Sequence, residues 1–513
     1  MKDCKFTFID LFAGIGGFRL ALEQNGGHCI GFSEIAPDAI SSYCVNYNES
    51  EAYNYGDITK LKNLPSHDFL TGGVPCQSWS IAGKNLGFDD SRGQLWNDAL
   101  YLLNKSQPKA FIFENVKGLA DPRNKEALNH IMGQIRLAGY SADYYILNSY
   151  DFGVPQNRVR IYIIGFKEEK YFRRFTLPLK CSGRTTLSDV ILGKSYVHNI
   201  EGLRMHRQGQ SISSNSEGKN DYFLFNDLRG GATTIHSWDL IDTSEQEKKI
   251  CNLLLKNRRK RLYGPLDGNP LSLIHFKELD SSIKQEDIDG LIEKGILKAE
   301  KYLYQIDEAI SEVDLDGIDI LKRYYPGSIN IDILKSNREF KIRKISVADL
   351  LNKLEDSGVV KCLEVRYDFK NTKISTGING INRIFLPSSK LYPTLVASDT
   401  NDFISDVPVT GSSDEEYKHN FLTNVYRAGK YRRISKQEAC MIQGFPKDFI
   451  LPESRPRWMK LIGNSVAVTL ISQLAHSVVA TGVFDENDYI TDVNPVFKRE
   501  KTCVIQPSLF EDI

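Results

Sequence analysis

The chain has 513 residues, too many for one ordinary core, so two or three structural units are expected. At 41% hydrophobic and 25% charged it is not wholesale disordered, and 65 basic against 65 acidic side chains give no global pull towards a polyanion. No apolar run approaches the ~20 residues of a membrane span, and the N-terminus enters a strand without a signal-peptide pattern.

Nine scattered cysteines without a C-x-x-C pair point to reduced thiols in a cytosol-like compartment and away from a cysteine-based zinc site. Basic residues cluster at 256–261, 338–344, 427–433 and 455–460. One such cluster reads as a solvated face. Four, all outside the N-terminal third, favour a polyanion groove confined to one part of the molecule.

Residues 1–175 alternate apolar strands with amphipathic helices, which predicts an α/β unit with a mostly parallel sheet. Strands are expected at 5–10, 29–33, 69–71, 110–114, 144–147 and 160–166, the last two joined by a turn-rich segment that favours an antiparallel strand. The first strand runs into DLFAGIGGF at 10–18, a glycine turn opening a helix, as at the nucleotide-cofactor corner of a doubly wound fold. The third glycine follows at once and Phe12 crowds the turn, which leans towards a cofactor without a pyrophosphate, such as S-adenosylmethionine. Glu34, closing the second strand, can accept ribose hydroxyls, and Asp57 can accept from an adenine amino group. Each could equally cap the next helix.

In Gly72-Gly73-Val74-Pro75-Cys76 the proline stiffens the loop that carries a thiol. That thiol is either a positioned nucleophile or an inert small hydrophobe. Glu114 closes the apolar strand FIFE and is costly to bury unless paired or protonated; at the carboxyl edge of the sheet it suits a general acid. In an extended QNRVR segment, Arg158 and Arg160 point to one face.

Residues 176–430 break the α/β rhythm. Two helix-then-strand units, at 287–304 and 347–367, read either as small winged-helix-like modules or as ordinary helix–turn–strand segments. Residues 431–482 return to compact α/β character as part of the first domain, and 483–513 form a peripheral tail. The middle stretch is therefore an insertion into one catalytic unit.

Taken together, FAGIGG, GDI, PCQS, DSRGQL, ENV, QNRVR, PTL, RRISKQE, QGFP and LIGNSV resemble the DNA (cytosine-5)-methyltransferases of bacterial restriction–modification type, in that family's order. The resemblance implies a Rossmann-like S-adenosylmethionine-dependent methyltransferase sheet with a large inserted α+β target-recognition domain. It implies that Cys76 attacks cytosine C6, Glu114 donates to N3, and Arg160, with Arg158 in support, holds the O2 side. Phe12, Gly14, Gly16, Glu34, Ile35, Asp57, Ile58, Pro75, Leu95, Asn464 and Val466 would then line the S-adenosylmethionine site, with no metal. Ser78, Ser80, Gln156, Thr394 and Leu395 would face the DNA.

The implied partner is double-stranded DNA with the target base swung out, read by loops near 229–238, 371–382 and 393–398. A monomer without membrane association is expected, cytoplasmic and close to the nucleoid, with a restriction endonuclease as functional rather than physical partner. Residues 506–510 (QPSLF) also resemble a sliding-clamp-binding pentapeptide. Three rivals differ in class. A tRNA-methylating branch has a compact recognition region, unlike the long span between Arg160 and Arg432. A non-catalytic relative would not need Cys76, Glu114 and Arg160 together. A nicotinamide dehydrogenase fails on the glycine pattern and leaves Cys76 unexplained.

Overall fold

The computed structural model describes residues 4–75, 94–181, 185–191, 221–372 and 376–485. The chain divides into two compact units, one of Met1–Phe152, Val159–Lys180 and Ser465–Ile513, the other of Gly153–Arg158 and Cys181–Asn464. The return to the first unit therefore begins at Ser465 rather than at 431, and a six-residue loop, Gly153–Arg158, belongs to the second unit.

The first unit is built on strands β1 (Phe6–Leu11), β2 (Gly27–Ser33), β3 (Phe69–Gly73), β4 (Ala110–Val116), β5 (Ser141–Asn148) and, after the short β6 (Gln156–Asn157) of the other unit, β7 (Val159–Phe166). Their order in the sheet is β2-β1-β3-β4-β7-β5. The first four are parallel; β7 runs antiparallel between β4 and β5, the reversal the turn-rich segment predicted. Phe8, Ile9, Phe69, Leu70, Phe111 and Ile112 are all fully buried, as a sheet covered on both faces requires. Helices Gly17–Glu23 and Val468–Val479 pack together, and Asn25 Nδ2 donates to the Ser472 carbonyl at 3.0 Å.

The tail does not begin where expected. Val483 and Phe484 are buried, and the Phe484 ring stacks on Phe6 with centroids 4.5 Å apart. Residues Arg455–Val479 are also long and apolar enough to cross a membrane, contrary to the sequence expectation. Its most apolar 18-residue window is 61% buried, and the stretch splits at Ser465–Ala467 into helices Arg455–Asn464 and Val468–Val479, as core helices do.

The second unit carries strands β8 (Tyr222–Phe225), β9 (Thr234–Ile235), β10 (Leu271–Ser272), β11 (Leu297–Ile306), β12 (Gly327–Asn330), β13 (Val360–Phe369), β14 (Arg383–Phe385), β15 (Tyr392–Pro393) and β16 (Asp402–Ile404). One sheet has the order β16-β14-β8-β9, and a second the order β10-β13-β11-β12.

The two helix-then-strand segments form this second sheet, and they are near copies. Helix Gln285–Glu293 ends at Gly295, φ +70°, with Ile296 N donating to Leu291 O and Gly295 N to Ile292 O. Helix Val347–Asp356 ends at Gly358, φ +78°, with Val359 N donating to Leu354 O and Gly358 N to Glu355 O. Both are glycine C-caps of the same type. Their strands β11 and β13 pair antiparallel, Leu297 opposite Phe369 and Ile306 opposite Val360. Each copy also opens with a short strand capped onto a helix, Ser272 before Leu273–Leu279 and Asn330 before Ile331–Ser336. That short strand pairs with the other copy's long strand: β10 with β13, and β12 with β11.

Candidate active site

The glycine turn after β1 is shaped by close approach. Gly16 has φ +85°, and a Cβ there would lie 2.4 Å from the Tyr47 ring, whose hydroxyl donates to Gly16 O at 2.6 Å. A Cβ at Gly14 would meet nothing within 4 Å. Glu34 ties this turn to the end of β2. Its Oε2 accepts from Gly14 N at 2.8 Å and its Oε1 from Ile35 N and Ala36 N, both at 2.8 Å. Glu34 thus caps the entry to helix Pro37–Tyr47 and grips the glycine loop with the same carboxylate.

Asp57 shows the capping alternative as well: its Oδ1 accepts from Thr59 N and Oγ1, bonds that hold its pKa below the usual carboxylate value. Ile58 is buried, and Phe12 and Leu95 pack half-buried against the same apolar cluster, which also holds Leu11 and Val74. Ile35 is 69% exposed, Pro75 half-buried, and Val466 buried. Asn464 is solvent-exposed at the end of its helix, in the second unit.

Sequence reasoning gave Asp10 no role of its own. It is fully buried at the carboxyl end of β1, with Oδ1 accepting from Thr71 Oγ1 at 3.1 Å and Oδ2 meeting no donor among the described residues. Burial, opposed by the Thr71 hydrogen bond and the Arg19 charge, pushes its pKa up to about 7. A buried oxygen without a donor, beside a glycine turn with open space at Gly14, fits a ligand bearing an amino group or hydroxyls. These residues therefore fit S-adenosylmethionine.

Cys76, Ser78 and Ser80, with the tail motif at 506–510, lie outside the described residues. The loop's root is described. Val74 is buried, and its carbonyl accepts from Asn115 Nδ2 at 3.1 Å, while Asn115 Oδ1 accepts from Val116 N at 2.8 Å. Asn115 thereby fastens the residue two before the thiol to β4, a tie with no signal in the sequence beyond its place in ENV. Gly73 pairs with Glu114, and a Cβ at Gly73 would lie 3.9 Å from both Glu114 Oε2 and Val466 Cγ1.

Of the two ways to bury Glu114, the structure shows pairing. Arg160 Nε lies 3.0 Å from Glu114 Oε1, the two side chains 15% and 10% exposed. The strand register explains the meeting: Val116 is opposite Arg160 and Glu114 opposite Tyr162, so the two residues are diagonal neighbours on one face. Oε1 has no aligned hydrogen-bond donor among the described residues, so the contact is an ion pair that leaves lone pairs open.

Arg158 does not share that face. Its backbone N–H donates to Gln156 O, a tight turn that interrupts the alternation between β6 and β7. Its guanidinium is 3% exposed within the second unit, donating to Leu395 O at 3.1 Å and Gly463 O at 3.3 Å. Around it, Gln156 Nε2 reaches Ile442 O and Gln443 Oε1, and Gln156 Oε1 accepts from Leu395 N. β6 pairs with β15, and Thr394 Oγ1 donates to Asn157 O. A Cβ at Gly463 would stand 2.4 Å from the Val396 carbonyl carbon, so only glycine lets that helix press so close. Gln156 and Leu395 are 0% and 1% exposed. They are the interior of a knot joining QNR, TL and LIGN, not a DNA-facing surface; Thr394 is half-buried at its rim.

The family model described as "C-5 cytosine-specific DNA methylase" matches residues 6–286 and 310–480. The chain is 38% identical over 498 residues to the type II methyltransferase M.HgiBI of Herpetosiphon aurantiacus, covering 94% of this chain and 98% of that one. To the type II methylase M.HgiEI of the same organism it is 37% identical, with the same coverage. To the type II methyltransferase M.BanI of Aneurinibacillus aneurinilyticus it is 28% identical over 506 residues, covering 93% and 97%.

Proposed function

The chain belongs to the family of C-5 cytosine-specific DNA methylases, and from that premise we propose how its own residues perform the transfer. It is a DNA (cytosine-5)-methyltransferase, and S-adenosylmethionine, when bound, supplies the methyl group. The Glu114–Arg160 pair at the carboxyl edge of the sheet, beside the anchored root of the thiol loop, carries the reading.

Cytosine C5 is a poor nucleophile until the ring is activated covalently. Cys76, as thiolate, adds to C6 of a base swung out of the duplex. Glu114 donates a proton to N3, so the electron pair pushed into the ring collects at C5 rather than as charge. Arg160 faces the O2 side, where negative charge would otherwise develop, and its pairing keeps Glu114 oriented. After C5 gains the methyl group, water or hydroxide takes the C5 proton, the Cys76 sulfur departs as thiolate, and the N3 proton returns to Glu114, which restores the neutral aromatic ring and the enzyme. Phe12, Gly14, Gly16, Glu34, Asp57, Ile58, Pro75, Leu95 and Val466 hold the methyl donor, with Ile35 at the adenine edge. Arg158, Gln156 and Leu395 order the segment that bears Thr394, which with Ser78 and Ser80 meets the DNA.

The enzyme acts as a monomer in the cytoplasm and protects host DNA against a cognate endonuclease, the reading favoured by full-length likeness to proteins named type II methyltransferases. A duplex carrying 5-fluorocytosine at the target tests the chemistry. Fluorine cannot leave as a proton does, so a covalent adduct stable to denaturation is expected and should vanish in Cys76→Ser. An active wild-type enzyme that forms no adduct would overturn attack at C6.

A further inference from the structure

The second unit has a basic cavity that the chemistry above does not use. It encloses about 490 Å3 between the Gly230–Gly231 turn and one face of helix Glu245–Asn257. Lys248 and Lys256, eight residues apart, share that face, and Arg259 joins them from the turn that follows the helix. Lys418 reaches in from helix Asp414–Phe421. Asp239 is the one carboxylate in the lining.

Two of these four cations are already matched. Lys248 pairs with Glu245 at 2.7 Å, and Lys418 with Asp239 at 2.5 Å. Burial alone would raise Asp239, but the His236 hydrogen bond and Lys418 outweigh it and lower its pKa, so the carboxylate stays ionised and its pairing with Lys418 persists. Lys256 has no carboxylate partner among the described residues, and Arg259 has only the 94% exposed Asp267, 3.8 Å away. The helix C-terminus subtracts about half a charge. An excess of positive charge remains.

The cavity wall is rigid. His236 Nε2 bonds the Arg229 carbonyl at 2.9 Å, the His236 ring lies on Trp238 at 4.2 Å, and Trp238 lies on Phe369 at 5.2 Å. By contrast, all three of the other basic clusters spend charge internally. Arg432 pairs with Glu438, Arg433 and Arg455 share Asp399, and Arg343 is held by Asp316 and Asp319.

We propose that this cavity seats the phosphodiester backbone of the DNA substrate, with Lys256 and Arg259 as its anion ligands. The proposal rests on the duplex-DNA reading above. It assigns the pair a positioning contact that is blind to base sequence, since phosphate contacts carry no base information.

The test compares wild-type with the double variant Lys256→Ala/Arg259→Ala, both exposed positions whose loss leaves the core untouched. Binding to a target duplex and to a scrambled duplex is measured across a salt series, alongside steady-state methyl transfer. The variant should bind both duplexes about tenfold more weakly, with a salt slope shallower by about one for each side chain that meets a phosphate. KM for DNA should rise while kcat at saturating DNA stays unchanged, and the charge-preserving Lys256→Arg/Arg259→Lys should restore binding. An unchanged slope and KM would overturn the proposal. So would a loss confined to the target duplex, which marks base readout, or an unchanged slope with lost binding to a polyglutamate competitor, which marks an acidic protein partner. Failure of the wild-type enzyme to methylate would instead strike the function proposed above, while the binding series still decides the cavity.

Discussion

The edge of the catalytic sheet and the knot around Arg158 use the same residue types to opposite ends. At the sheet edge, polar groups are buried and incompletely matched among the described residues: Asp10 Oδ2 and Glu114 Oε1 lack aligned donors, and Gly14 faces open space. In the second unit, Arg158 is gripped by two carbonyls, Arg258 forks onto Asp368 with side chains 7% and 9% exposed, and Arg383 forks onto Asp402. An unmatched buried polar group costs stability and survives where a ligand or reaction completes it. Groups gripped on several atoms at once hold a shape. Arg158 and Arg160, two residues apart, fall on opposite sides of this division.

That contrast can be broken by substitution. Glu114→Gln keeps the shape and removes the proton donor, so kcat should fall by about 10²–10³-fold with folding intact; a loss under threefold in steady-state assays would remove Glu114 from the chemistry. Arg158→Ala should act in the other currency. Two buried carbonyls lose their donors, and unfolding in urea should show a loss of about 2–4 kcal/mol. A variant of wild-type stability but severely reduced kcat would move Arg158 to the reactive side.

The smallest effect is the most diagnostic. A carboxyl whose pKa is raised from 3.8 to about 7 binds its proton more tightly folded than unfolded. Its contribution is then most favourable below the unfolded pKa and is lost as pH rises towards 7. Asp10→Asn removes that dependence, so the variant's melting temperature relative to wild-type should climb between pH 5 and pH 8. A flat difference would mean that Asp10 is ionised throughout.

Much of the catalytic edge was legible because it is local. The glycine turn, Glu34 and Glu114 each sit at a strand end, where spacing alone places them at the carboxyl edge of the sheet, whereas Asp57 caps a short helix between strands. At Glu34 the capping reading is realised, and the same carboxylate also grips the glycine turn. What failed was alternation. A single turn at Gln156–Arg158, invisible in composition, sent Arg158 into another unit. Equally illegible was the pairing of Gln156 with Leu395, separated by 239 residues, since no local preference encodes a tertiary hydrogen bond. The role of Asn115 was hidden for the same reason.

The exchanged short strands of the inserted sheet make it a dimer written on one chain. Neither copy owns the neighbours of its own long strand: β13 needs β10 from the first copy, and β11 needs β12 from the second. A half cut free would expose the edges its twin covers, and would find them covered again only by meeting another half. The linker between the copies therefore sets a local concentration as much as a path. Each half is bound to evolve with an inseparable partner, since a change of length or register in one long strand is felt first in the other.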